Sequence, residues 1–109
     1  MTREYEWIKV AASRGELHFN TNQIALVQVS DRVICIGIHL NALYGFSAKC
    51  PHASGRMEEG FIDAMGNIVC PVHRYRFSVK NGRNSSGEGY YLKTYPVEET
   101  LEGIFVGVG

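Results

Sequence analysis

The sequence has no long apolar run, no excess charge of either sign and no extended helical pattern. No segment approaches the roughly 18–20 apolar residues that a membrane-spanning helix requires, so we expect no membrane span. Eleven basic and eleven acidic side chains cancel, which excludes a general electrostatic attraction to nucleic acid or to an anionic membrane. Residues 1–10 lack the apolar stretch of a secretory signal. These absences favour a cytoplasmic location.

Cysteine is scarce: the 109 residues include three, Cys35, Cys50 and Cys70. An odd and small number argues against a disulfide framework and is typical of a reducing compartment. Cys35 lies within an apolar run and is interpreted as a buried small side chain. Hydrophobic residues make up 45% and charged residues 20% of the chain, as in an ordinary globular domain. We therefore expect a single domain over residues 1–109.

Short apolar stretches bounded by turn residues predict an all-β fold, an antiparallel β base of barrel or sandwich type. The most pronounced pattern is a hairpin in which Ser30 and Asp31 join two β-branched runs. Residues 83–89 are rich in glycine and serine and predict a flexible loop. The predicted strands are residues 5–10, 16–19, 23–29, 32–39, 43–47, 60–64, 67–69, 76–79, 90–97 and 104–108.

Soft metal ligands are concentrated in two short segments. Cys50 and His52 are separated by one residue, Cys70 and His73 by two, and seventeen residues lie between the pairs. A zinc finger pairs two cysteines in one knuckle and two histidines in the other, whereas here each segment mixes the two types. The mixture favours two metal ions with different ligands, and a structural zinc site remains as an alternative.

The two segments resemble the Rieske motif, which is Cys-x-His, a spacer and Cys-x-x-His. The similarity continues through Phe77, through an Asn81-Gly82 turn and through a returning strand over residues 92–97. The strands that precede Cys50 fit the β base of the same family, so the resemblance extends over nearly the whole chain.

The resemblance implies a Rieske-like fold in which two cluster-binding hairpin loops, within residues 48–83, are carried on the β base. It implies one [2Fe–2S] cluster per chain, with two histidines replacing two cysteines on one iron. Cys50 and Cys70 would then bind one iron, and His52 and His73 the other. The histidine edges would be the points where electrons enter and leave.

The function implied is that of a small soluble ferredoxin, which passes single electrons from a reductase to an acceptor such as a Rieske oxygenase. We expect a carrier and not an enzyme, because the sequence shows neither a nucleophile with its base nor a facial triad for mononuclear iron. Two alternatives stay open: a small subunit of a larger redox complex of the nitrite-reductase type, and a structural zinc or interaction module.

Departures from the respiratory Rieske proteins predict a low reduction potential. Those proteins brace the cluster with a disulfide at positions that here hold Gly55 and Val72. They also donate hydroxyl groups to the cluster from positions that here hold Tyr75 and Phe77, and fewer donors to sulfur lower the potential. A further departure is Arg74, which stands where the family often has glycine.

Basic residues are unevenly distributed around the motif. Lys49, Arg56, Arg74 and Arg76 lie close to the four candidate ligands in the sequence. We interpret these four residues as a possible docking rim for an acidic redox partner, whose approach they would steer in a salt-dependent manner.

Overall fold

The computed structural model describes residues 5–51 and 55–109, and the regular structure of this part of the chain consists of β-strands and two 3-10 turns. The 3-10 turns are Arg14–Glu16 and Met57–Glu59. The strands are β1 (Glu6–Ala11), β2 (Ile24–Val29), β3 (Arg32–His39), β4 (Ala42–Ser47), β5 (Phe61–Ile62), β6 (Asn67–Val69), β7 (Arg76–Ser78), β8 (Thr94–Tyr95), β9 (Val97–Thr100) and β10 (Gly103–Val108).

The strands form three antiparallel sheets. A four-stranded sheet has the order β2-β3-β4-β8, a three-stranded sheet has the order β1-β10-β9, and a smaller sheet has the order β5-β6-β7. None of the three closes on itself within the described residues, so the all-β prediction is confirmed as a layered arrangement and not as a barrel. The smaller sheet carries the second pair of candidate ligands in the connection between β6 and β7.

The central strand β3 is buried on both faces. Ile34, Cys35 and Ile36 are consecutive, and each is 0% exposed. Successive side chains of a strand point to opposite faces. The side chains of these three residues therefore pack into two different hydrophobic clusters. Ile34 and Ile36 pack in a cluster with Ile104 of β10, whereas Cys35 packs in a cluster with Phe77 of β7. The four-stranded sheet therefore joins the base of the fold to the sheet that carries the candidate ligands.

Cys35 is confirmed as a buried structural residue. Burial, and secondarily the negative charge of Glu58, raises the pKa of the Cys35 thiol to about 12. A thiol with this pKa is protonated at neutral pH.

Gly37 of β3 permits the close approach of the four-stranded sheet to β5. A Cβ atom at this position would lie 2.6 Å from Cδ1 of Ile62 and 3.2 Å from Cε1 of Phe46. Both distances are below ordinary van der Waals contact, so a side chain at position 37 would displace the side chain of Ile62.

The predicted hairpin of residues 23–29 and 32–39 is confirmed by β2 and β3, which pair from Ile24–Gly37 to Val29–Arg32.

The strand predicted at residues 16–19 is wrong. Local hydrogen bonds close a 3-10 turn there instead: Leu17 N–H donates to the carbonyl of Arg14 (3.1 Å). The side chain of Arg14 also donates two hydrogen bonds of 2.8 Å to Glu99, and this donation holds the pKa of Glu99 below its usual value.

The prediction of one strand over residues 90–97 is also wrong, because the chain changes sheets at Pro96. Residues before it form β8, which pairs with β4, and residues after it form β9, which pairs with β10. Proline has no backbone N–H to continue a ladder, and its carbonyl instead accepts a hydrogen bond from Gly107 (2.9 Å).

Within the described ranges, no helix is long and apolar enough to cross a membrane.

The loop over residues 83–89, predicted to be flexible, is held by hydrogen bonds. Asn84 is the centre of this network: its side chain donates to the carbonyl of Arg76 (3.0 Å) and to the carboxylate of Glu88 (2.9 Å), and accepts from the N–H of Gly89 (2.8 Å). The composition of the loop predicted flexibility, whereas one well-placed amide side chain determines its conformation.

Candidate metal centre

The two ligand loops are closed by equivalent hydrogen bonds. Cys50 N–H donates to the carbonyl of Gly55 (3.0 Å), and Cys70 N–H donates to the carbonyl of Tyr75 (2.8 Å). In each loop, therefore, the backbone amide of the candidate ligand is bonded to the carbonyl five residues later. The second loop has an additional turn, in which Arg74 N–H donates to the carbonyl of Cys70 (2.9 Å).

The structure brings two of the predicted ligands into one buried cluster. Cys50 is 4% exposed and Cys70 is 0% exposed, and both pack with Met57 and Phe77. None of the three cysteines of the chain is in a disulfide. His73 is exposed at the surface of the second loop. The fourth predicted ligand, His52, lies outside the described residues.

Gly55 brings the first loop directly against the second. A Cβ atom at position 55 would lie 2.9 Å from Sγ of Cys70 and 2.6 Å from Cγ2 of Val72. Any side chain at Gly55 would therefore enter the space occupied by the candidate ligand sulfur. The same position is 3.5 Å from Cβ of Val72, which is within the range that a disulfide spans. Positions 55 and 72 thus face each other, as the resemblance to the respiratory proteins implies, but neither holds a cysteine.

The described candidate ligands are of the types that an iron–sulfur cluster of the Rieske type uses. A Rieske cluster requires only two protein ligands on each iron, thiolates on one and imidazoles on the other. The buried thiols of Cys50 and Cys70 and the exposed imidazole of His73 match this division of ligands between the two irons.

The backbone at Arg74 explains how the second loop forms without the usual glycine. Arg74 has φ = 60°, which is the left-handed conformation that glycine adopts without steric strain. For a residue with a side chain, this conformation raises the free energy by about 1–2 kcal/mol. The loop therefore keeps the conformation expected with glycine, and the side chain of Arg74 is exposed to solvent.

A chain of aromatic rings extends outward from the second loop. The ring of Tyr75 lies 6.0 Å from that of His73 and 5.9 Å from that of Tyr90, with which it is stacked at 28°. Desolvation raises the pKa of the Tyr75 hydroxyl, and the negative charges of Glu88, ionised Tyr90 and ionised Cys50 raise it further. The sequence analysis did not identify Tyr90, because its contact with Tyr75 depends on the path of the loop between them.

Two members of the predicted basic rim are engaged in ion pairs. Arg56 contacts Glu58 at 2.8 Å and Glu59 at 3.9 Å, and Arg76 contacts Asp63 at 3.5 Å. The charges of these two arginines are therefore partly neutralised. The other two members, Lys49 and Arg74, are exposed.

Comparison with known proteins identifies the family. The model of the Rieske [2Fe-2S] domain matches residues 6–96. The chain belongs to this family, and its cofactor is a [2Fe–2S] cluster.

Named relatives are components of oxygenase systems. The ferredoxin component of the alkene monooxygenase system of Xanthobacter autotrophicus is 24% identical over 87 residues, which are 80% of this chain and 70% of that protein. The ferredoxin component of the naphthalene 1,2-dioxygenase system of Pseudomonas aeruginosa is 37% identical over 62 residues, which are 56% of this chain and 57% of that protein. The match thus spans little more than half of the second relative.

Solved structures share the fold. The ferredoxin of carbazole 1,9a-dioxygenase from Nocardioides aromaticivorans has a TM-score of 0.77 at 22% identity and covers 92% of this chain and 95% of its own. A small subunit of an NADH-dependent nitrite reductase from Mycobacterium tuberculosis has a TM-score of 0.79 at 17% identity and covers 98% of both chains.

Replacing Arg74 by glycine should stabilise the protein. Glycine relieves the left-handed strain, although it also makes the unfolded chain more flexible, so we expect a net gain of about 0.5–1 kcal/mol. The matched control is Arg74→Ala, which removes the same charge but keeps a Cβ atom at positive φ. Thermal unfolding at equal cluster content should rank Arg74→Gly above Arg74→Ala by a few degrees. Equal unfolding temperatures would show that the loop is not strained.

Proposed function

We propose that this protein is a one-electron carrier of the ferredoxin type that serves an oxygenase. The observation that carries the proposal is the contact between the two ligand loops, in which Gly55 lies directly against the sulfur of Cys70. Support comes from the ferredoxin components among its relatives and from a structural neighbour in which a ferredoxin is complexed with its oxygenase. The whole chain would act as one domain, with the cluster held within residues 48–83.

Cys50 and Cys70 would bind one iron, and His52 and His73 the other. The two cysteines suit the first iron because both are buried in the same hydrophobic cluster. His73 suits the second because it is exposed, so its ring is within reach of a partner. When bound, the cluster accepts and releases a single electron, whereas the protein supplies the ligands and limits the access of water.

The charge of this ligand set explains why imidazoles matter. Two ferric ions, two sulfides and two thiolates sum to about zero when the remaining ligands are neutral imidazoles, so reduction is easier than in an all-cysteine cluster. Such a carrier needs a short path from the metal to the surface and no substrate pocket. Thiolate ligands and three reduced cysteines also favour a reducing compartment, and we propose the cytoplasm.

A second candidate is the small subunit of a reductase of the nitrite-reductase type. The observation that favours it is the TM-score of 0.79 over 98% of the chain. At 17% identity this likeness shows the fold alone. The two functions differ in their assembly: a subunit co-purifies with a large partner, and a ferredoxin binds its partners transiently.

The purified protein should contain two iron atoms and two acid-labile sulfides per chain. The protein as purified should be red-brown, and the EPR spectrum of a mixed-ligand [2Fe–2S] cluster should appear on reduction, because imidazole and thiolate ligands occupy different irons. Cys50→Ser, Cys70→Ser, His52→Ala and His73→Ala should each abolish or severely reduce cluster content. Cys35→Ser is the matched control and should keep its iron. A colourless protein that contains one zinc ion would contradict the proposal.

The reduction potential should lie below 0 mV, near the low end of the Rieske range, which begins at roughly −150 mV. The position that supplies a second hydroxyl in respiratory proteins here holds Phe77, which is 0% exposed and has no donor for sulfur. No disulfide braces the loops, because Gly55 and Val72 hold the two positions. Redox titration of the pure protein measures the midpoint, and a value well above 0 mV would refute this prediction.

The exposed members of the basic rim, Lys49 and Arg74, should accelerate reaction with negatively charged partners. Oxidation of the reduced protein by hexacyanoferrate(III) should slow several-fold in Lys49→Glu and Arg74→Glu at low salt, and the effect should shrink as salt screens the charges. Lys9→Glu is the matched control, because Lys9 lies on β1 in a different sheet. Equal rates in all variants at low salt would show that the rim has no steering role.

A further inference from the structure

The loop that precedes Tyr90 is more ordered than a simple connection requires. Besides the bonds already described, Oδ1 of Asn84 accepts a hydrogen bond from the N–H of Glu88, and Nδ2 of Asn84 lies 3.2 Å from Oγ of Ser86. Ser86 in turn accepts from the backbone N–H of Arg76 (2.9 Å), so the loop is attached to the start of β7. Gly87 and Gly89 adopt φ of 89° and 86°, which permits the tight path between these bonds.

The conformation of this loop places the ring of Tyr90 against the ring of Tyr75. Tyr90 stacks on Tyr75, and Tyr75 packs against the hydrophobic cluster that contains Cys50 and Cys70. Tyr90 is 40% exposed, whereas the adjacent Tyr91 is 66% exposed. Of these two neighbouring tyrosines, Tyr90 is therefore the one that covers the second ligand loop.

We propose that Tyr90, held by the Asn84 loop, is a positioning residue that keeps Tyr75 packed over the metal centre and limits the access of water to it. This inference rests on the proposed function, because it assumes a cluster between the ligand loops. It extends that function by assigning a role to residues 84–90, which lie outside both ligand loops and outside the predicted cluster-binding segment, residues 48–83.

The stacking of Tyr90 should influence the reduction potential in a definite direction. Reduction adds one negative charge to a cluster that is close to neutral when oxidised. Water stabilises the charged form better than an apolar environment does. Loss of the covering ring should therefore favour the reduced state and raise the midpoint potential. It should also open the centre to small reagents.

The test compares three variants of the cluster-loaded protein. Tyr90→Ala should shift the midpoint upward and accelerate several-fold the loss of colour of the oxidised protein in the presence of a small iron chelator such as EDTA. Tyr90→Phe keeps the stacked ring and should behave as the original protein. Tyr91→Ala removes a neighbouring exposed tyrosine and should also leave both quantities unchanged. Equal midpoints and equal bleaching rates for Tyr90→Ala and Tyr91→Ala would overturn the inference.

A fourth variant tests the loop itself. Asn84→Ala removes the centre of the hydrogen-bond network without touching either ring, so it should shift both readouts in the same direction as Tyr90→Ala. Ser85→Ala is its control, because the adjacent serine engages β7 through its backbone N–H, which the substitution retains. An Asn84→Ala protein with the original midpoint and bleaching rate would count against the role of the loop. Failure of the proposed function looks different, since the unsubstituted protein would then lack iron and sulfide altogether.

Discussion

The contact between the two ligand loops is the constraint on which the site depends. Each loop is closed by a backbone hydrogen bond from its cysteine, to Gly55 in the first loop and to Tyr75 in the second. The closed loops then meet where Gly55 leaves room for the sulfur of Cys70. A cluster shared between two segments requires that both be held close together, and here backbone hydrogen bonds and the missing side chain of Gly55 favour that placement.

The hydrophobic core connects the two ligand loops to the sheets at the base of the fold. Cys50 and Cys70 belong to the same buried cluster as Cys35 of β3 and Phe77 of β7. The opposite face of β3 packs on β10 through Ile34 and Ile36. Movement of either ligand loop would therefore disturb a strand that is packed on both sides. Since interiors are close-packed and tolerate little displacement, the base sheets hold the ligand positions in place.

The sequence was sufficient for features that depend on local pattern and insufficient for those that depend on the path of the chain. Alternating apolar residues identified the β2–β3 hairpin, whereas the assignment of Cys70 and His73 as ligands from their spacing stays a prediction. The change of sheet at Pro96 was missed, because the flanking residues have equal strand propensity in either sheet. The order imposed by Asn84 was missed too, since glycine and serine are found in flexible loops and in tightly hydrogen-bonded ones.

Arg74 shows how a residue can differ from the glycine that is common in the family while the loop keeps its conformation. The left-handed backbone at Arg74 is the one that glycine would adopt, so the loop conformation is determined by its surroundings and not by the residue. The two backbone hydrogen bonds that close the second loop, together with the ring contacts of Tyr75, outweigh a strain of about 1–2 kcal/mol. The same surroundings include the stack of Tyr75 and Tyr90. A strained residue thus persists where neighbouring contacts fix the backbone, and the exposed side chain of Arg74 adds a positive charge at the position that follows His73.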